Sequence, residues 1–152
     1  MSLQDKISTE LKAAMRAKDS TRLATLRLIN AAIKDREIAA RGEQNVSELT
    51  DTDLIIVLTR MVKQRRDSAR AYEEAARLDL AEKEISEIGV IESFLPRQLG
   101  ENEMVAAIDK IIAELGASSV RDIGAVMAAL KTRYAGQMDF GKAGELVKEK
   151  LA

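Results

Sequence analysis

Residues 76–99 read ARLDLAEKEISEIGVIESFLPRQL and hold Pro96, the only proline in the chain. The segment before the proline is charged and rich in helix formers. Ile85, Ile88, Ile91 and Leu95 recur at helical spacing and form its expected apolar face. Asp79, with Glu82 three residues on, is the expected N-cap. The residue before a proline is biased away from helix, so the chain should leave this helix at Phe94 or Leu95. Pro96 then divides the sequence into a longer helical part, residues 1–96, and a shorter one, residues 97–152.

Working outward, the composition supports helices throughout. Apolar residues make up 46% of the chain, yet Trp is absent and Phe and Tyr number two each, so aliphatic side chains must fill the core. Before the opening stretch, Leu3, Ile7, Leu11, Ala14 and Met15 predict a helix over residues 3–17. Leu23, Leu26, Ile29, Ile33 and Ala40 predict a second over 20–41, started by Asp19 or Ser20 and stopped by Gly42, with a polar loop over 42–50. Leu54, Val57, Leu58, Met61, Ala69, Tyr72 and Ala76 predict a third over about 52–76.

After Pro96 come three shorter helices: 101–115 ending at Gly116, 120–134 beginning after Ser119, and 141–151 beginning after Asp139. Their expected core is Leu115, Ile123, Val126, Met127, Leu130, Leu146, Val147 and Leu151, with Met104, Ile108, Ile111 and Ile112 on the first of the three. No segment alternates. The expectation is an all-α protein, a four-helix N-terminal domain followed by a small three-helix C-terminal bundle.

The absences narrow function. There is no Cys and no His, which removes disulfides, thiolate chemistry, the usual general base near neutral pH and the commonest metal ligand. No metal, cofactor or catalytic residue is expected. The net charge is −1, so no global field draws the chain to nucleic acid or membrane. No apolar run reaches the roughly 18 residues of a membrane span, and the N-terminus lacks a secretory apolar region. A cytoplasmic protein without a membrane partner is the expectation on these grounds.

Local charge is uneven. Residues 54–70 carry Arg60, Lys63, Arg65, Arg66 and Arg70 against Asp67, net +4. Residues 73–92 carry seven carboxylates against Arg77 and Lys83, net −5. Antiparallel packing of these helices would pair the two faces, setting register more than stability. Glu84 and Glu87 share a face at i, i+3, but helical dimetal sites add His to such pairs, and a solvated acidic face accounts for them. Ser68, Ser86, Ser93, Ser118 and Ser119 lack a nucleophile-elbow context; Ser119 reads as a cap. GKAGEL, residues 141–146, lacks the phosphate-loop spacing and reads as a helix start. Arg22, Arg27, Lys34, Arg36 and Arg41 dot the second helix, and Lys63, Arg70 and Arg77 fall at heptad spacing on the third. So few aromatics argue against base stacking and leave recognition of RNA by backbone or shape.

Three segments together resemble the YqeY family: residues 19–42, DSTRLATLRLINAAIKDREIAARG; the opening stretch, 76–99; and residues 122–151, DIGAVMAALKTRYAGQMDFGKAGELVKEKL. That family is similar to the C-terminal helical part of the GatB subunit of the tRNA-dependent amidotransferase, a glutamine-dependent carbon–nitrogen ligase. The resemblance implies a C-terminal three-helix domain like the GatB tail, which helps hold tRNA. It implies association with such a ligase and no catalytic site in this chain. Gly124 is expected to let helices approach closely, Gly136 to stop a helix and Asp139 to cap the next.

For RNA contact the expected residues are Arg121, Lys131, Arg133 and Lys142, on or beside the short helices. Residues 97–152 nevertheless hold eight basic and eight acidic side chains, net 0, so any grip by charge must be local. The expected partner is tRNA or an RNA–protein assembly. The alternatives are a protein partner on the mixed-charge third and fourth helices, and a role as a component of the transamidation reaction.

Overall fold

The computed structural model describes residues 2–44 and 49–152. Among them there are seven α-helices and one 3-10 turn, and no strand. The helices are α1 Leu3–Ala17, α2 Ser20–Gln44, α3 Asp51–Glu74, α4 Leu78–Glu92, α5 Glu101–Leu115, α6 Ile123–Arg133 and α7 Phe140–Leu151; the turn is Val120–Asp122. They gather into two compact units, Met1–Pro96 and Arg97–Ala152. The all-α class is as the composition implies.

In the first unit the helix starts are fixed by side chains. Ser2 and Asp5 form a capping box at α1, Thr50 and Asp53 another at α3, each satisfying backbone donors that a helix leaves open. The Thr50 N–H and hydroxyl both donate to Asp53, which holds its carboxyl below the usual carboxylate range. Asp19 starts α2 by accepting from the Arg22 N–H at 3.2 Å. Asp51 at the head of α3 accepts from the Leu3 N–H at 3.2 Å, tying two helix starts together.

One aliphatic core joins all four helices: Leu3 and Ile7 from α1, Leu26, Ile29 and Ile33 from α2, Leu54, Leu58 and Met61 from α3, Ile88 and Ile91 from α4. Each fully buried Leu or Ile contributes about 1.5–3 kcal/mol relative to exposure. α3 and α4 form an antiparallel hairpin. Arg65 Nε donates to Glu87 at 2.9 Å and Arg66 to Glu92 at 3.3 Å, so the basic and acidic faces meet as their charges require.

Several expectations are corrected. α2 runs through Gly42 to Gln44, so Gly42 is an interior helical residue and not a stop; residues 45–48 of the expected loop lie outside the described residues. α4 begins at Leu78, flanked by Arg77, and no side chain caps it; Asp79 lies inside the first turn and pairs with Arg77 at 3.5 Å. The cause is Ala76, whose φ of 58° turns the chain sharply and starts the helix early. Ala76 is therefore exposed and outside α3. α4 ends at Glu92, earlier than expected. Ile85 is 52% exposed: Ala81, Ile88 and Ile91 face the core instead.

The second unit is built around Met104, Ile108, Ile111, Val126, Leu130, Met138, Ala143, Val147 and Leu151. Gly116, at φ 63°, closes α5 in the left-handed conformation that glycine adopts freely, and the Ala117 N–H returns to the Ile112 carbonyl at 3.0 Å. Leu115, the last residue of α5, projects beyond the bundle and is 49% exposed rather than part of the core. Gly124 meets no atom within 4 Å where a side chain would begin, so it mediates no close helix approach. Gly144 lies nearer a neighbour, its would-be Cβ 3.8 Å from Met127 Cε.

Candidate nucleic-acid interface

Ser119 and Asp122 build the start of the region that carries the expected RNA-contacting residues. The Ser119 hydroxyl accepts from the Arg121 N–H at 3.3 Å, and the Asp122 carboxylate accepts from the Ser118 and Ser119 N–H groups at 2.9 and 3.2 Å. This fixes the 3-10 turn and leaves the Arg121 side chain in solvent. α6 follows with Val126 and Leu130 inward.

At about 100° per residue, Gly124, Ala125, Ala128, Lys131 and Thr132 fall within an arc of about 120°, and all five are exposed. The Thr132 hydroxyl turns back to the Ala128 carbonyl at 2.9 Å, so little projects from the middle of this face. Arg121 stands at its head and Lys131 near its foot, about 15 Å apart along the axis. Neither side chain has an ion-pair partner among the described residues.

The other two expected residues differ. Arg133 is committed to Glu114 of α5 at 2.6 Å and braces α6 against α5. Lys142 is exposed in the first turn of α7. There Asp139 already accepts from the Gly141 and Lys142 N–H groups, at 2.9 and 3.4 Å. The start of α7 is thus satisfied by the chain's own carboxylate, in keeping with GKAGEL as a helix start. Arg121 and Lys131 share one face, Arg133 pairs with Glu114, and Lys142 stands on a separate helix. The small-residue face between the cations escaped the sequence reading; exposed Gly, Ala and Thr at i, i+4 spacing were its available signal.

Elsewhere some charged groups pair with one another, while exposed cations such as Arg27, Arg60, Arg70 and Lys83 have no ion-pair partner among the described residues. Glu87, half of the Glu84–Glu87 pair, accepts from Arg65, and both of those side chains are only 15% exposed. Lys63 pairs with Asp67, Arg36 with Glu43 and Arg22 with Glu10. Ser93 donates its hydroxyl to the Val90 carbonyl at 2.6 Å. Among the described residues no three carboxylates gather as a metal site. No helix of the described residues is long and apolar enough to cross a membrane.

At the start of α5, Glu103 accepts from Arg97 through Nη1 and Nη2 and from the Gly100 N–H at 3.2 Å. These bonds, the Arg97 pair first, pull the Glu103 carboxyl down to about 2 from 4.5, and Glu103 in turn raises Arg97.

Comparison with known proteins gives a consistent family. The family described as Yqey-like protein matches residues 4–151. Altered inheritance of mitochondria protein 41, mitochondrial, of Lachancea thermotolerans is 33% identical over 115 residues, 74% of this chain and 59% of the relative. The protein of the same name from Clavispora lusitaniae is 38% identical over 61% of this chain and 51% of its own length. An uncharacterized protein of Schizosaccharomyces pombe is 34% identical over 62% of this chain and 72% of the relative. The chain spans about half to three-fifths of the mitochondrial relatives.

Those names overturn the cytoplasmic expectation, because they point to mitochondria. The physical reason is simple. Aqueous compartments present a fold with nearly the same solvent, so net charge and hydropathy do not separate them.

Proposed function

Because the chain belongs to the Yqey-like family, whose match runs over residues 4–151, we propose that it is a docking module for tRNA, associated with a glutamine-dependent amidotransferase and without a reaction centre of its own. The contact surface is the exposed face of α6. The observation that carries this reading is the placement of Arg121 and Lys131, two exposed cations without an ion-pair partner among the described residues, at either end of a strip of Gly124, Ala125 and Ala128. A strip without bulky side chains lets a sugar–phosphate backbone lie close, and a cation at each end neutralises phosphate. Such contacts fix position without reading bases, and structured RNA is recognised largely in this way. A chain lacking His and Cys is suited to holding rather than transforming.

A gel shift against total tRNA tests the reading. Arg121→Glu with Lys131→Glu should abolish the shift at moderate salt. An unchanged shift sinks the reading, as does conversion of Glu-tRNA to Gln-tRNA by the purified chain alone.

A second reading has its own observation. Leu78 and Ile85 lie seven residues apart on one side of α4 and are 62% and 52% exposed. A protein-interaction adaptor would use this strip. Partners that remain after RNase treatment, and are lost on Ile85→Glu, favour the adaptor over the RNA module.

A further inference from the structure

Away from α6, the first unit has a cleft of about 270 Å³ lined by Lys6, Thr9 and Glu10 of α1, Arg22 of α2, and Ser93 and Phe94 after α4. Its size is near the lower end of small-molecule sites, about 300 Å³. Its chemistry is mixed in a specific way. The Lys6 ammonium has no ion-pair partner among the described residues. Arg22 meets Glu10 through Nη2 and Oε2 at 3.2 Å, a one-point contact that leaves other guanidinium N–H groups and the Oε1 oxygen for a ligand. Ser93 spends its proton on Val90 and keeps its lone pairs. Phe94 packs on the core and also lines the cleft.

We infer that this cleft is a ribonucleotide site. Phosphate is held by Lys6 and Arg22 with a hydrogen bond from the Thr9 hydroxyl. Ribose hydroxyls donate to Glu10 and Ser93. The flat base lies along Phe94. A bare anion would meet two cations but also the Glu10 carboxylate; a ligand with both phosphate and hydroxyl donors satisfies all three. The phosphate could belong to a free mononucleotide or to an unpaired nucleotide of an RNA. The inference stands apart from the α6 reading, since it uses no residue of the second unit.

The test is a titration of the intact chain followed through its backbone amide resonances, with adenosine monophosphate, deoxyadenosine monophosphate, inorganic phosphate and a short single-stranded RNA. The expected result is saturable shifts at Lys6, Thr9, Arg22, Ser93 and Phe94 with adenosine monophosphate or with the RNA, weaker with the deoxy compound and with phosphate. Lys6→Glu should weaken binding about tenfold, equivalent to reversing one well-placed charge contact, and Lys6→Arg should restore it. Shifts from the mononucleotide identify a free-ligand site; shifts from the RNA alone identify an RNA contact. Either supports the site. No saturable shift from any probe, inorganic phosphate binding as tightly as the nucleotide, or indifference to Lys6→Glu overturns it.

Discussion

Arg133 of α6 and Glu114 of α5 meet at 2.6 Å, a one-point contact that braces α6 against α5. Both side chains keep solvent, at 47% and 39% exposure, so the pair contributes at most about 1 kcal/mol. The expected outcome of Arg133→Ala is a stability loss of that size by urea unfolding with tRNA affinity nearly unchanged. A loss of affinity equal to that of Lys131→Ala would contradict the assignment.

Arg65 and Glu87 differ from the other pairs because each is only 15% exposed. Removing Glu87 leaves a largely desolvated guanidinium with only the Met61 carbonyl as its acceptor among the described residues. Glu87→Ala should therefore cost about 1.5–3 kcal/mol in thermal or urea unfolding. Replacing both partners, Arg65→Met with Glu87→Leu, should cost less than either single change, since an apolar pair carries no desolvation penalty. A double variant less stable than both singles would count against this.

Ala76 sits at φ 58° in the α3–α4 link. A residue with a Cβ pays about 1–2 kcal/mol there, and glycine does not. Ala76→Gly should stabilise the first unit, by up to about 1 kcal/mol after the added unfolded-state entropy. A lowered midpoint of unfolding would show that the turn is not strained.

Glu103 gives a pH dependence with a definite sign. Its carboxyl is held at about 2 in the fold against an ordinary 4.5, first by Arg97 and then by the Gly100 N–H. A depressed acid contributes stability that is complete above its unfolded value and is lost as pH falls through the folded one. The loss should thus run from pH 4.5 down to about 2, and Glu103→Gln should flatten that limb. Direct titration of the Glu103 carboxyl near its ordinary value would refute the arrangement.

Much of the fold is legible in the residues. Helix α1 stands at 3–17 and α5 at 101–115 because strong apolar periodicity meets clear end signals, Lys18 and Asp19 in one case and Gly116 in the other. The failures share a cause: local patterns that fit two registers. Ile85 matches the same spacing as Ile88 and Ile91, and only the position of α3 decides which stripe is buried. Asp79 and Glu82 imitate a cap, while the turn at Ala76 starts α4 ahead of them. Gly42 is a plausible stop, yet α2 continues past it, and Arg36 pairs with Glu43 at 3.6 Å along the continued turn. For the α6 face, Arg121 and Lys131 were readable as exposed cations. The pairing of Arg133 with Glu114 depends on how α5 packs on α6, which one-dimensional spacing does not contain.

The salt dependence of tRNA binding is the sharpest probe of an α6 face that holds RNA between Arg121, in the turn before it, and Lys131. Each phosphate contact contributes about one unit to the slope of log affinity against log salt. Arg121→Ala with Lys131→Ala should lower that slope by about two relative to the unsubstituted chain. A slope unchanged by the two substitutions, or no tRNA binding even at low salt, would contradict it.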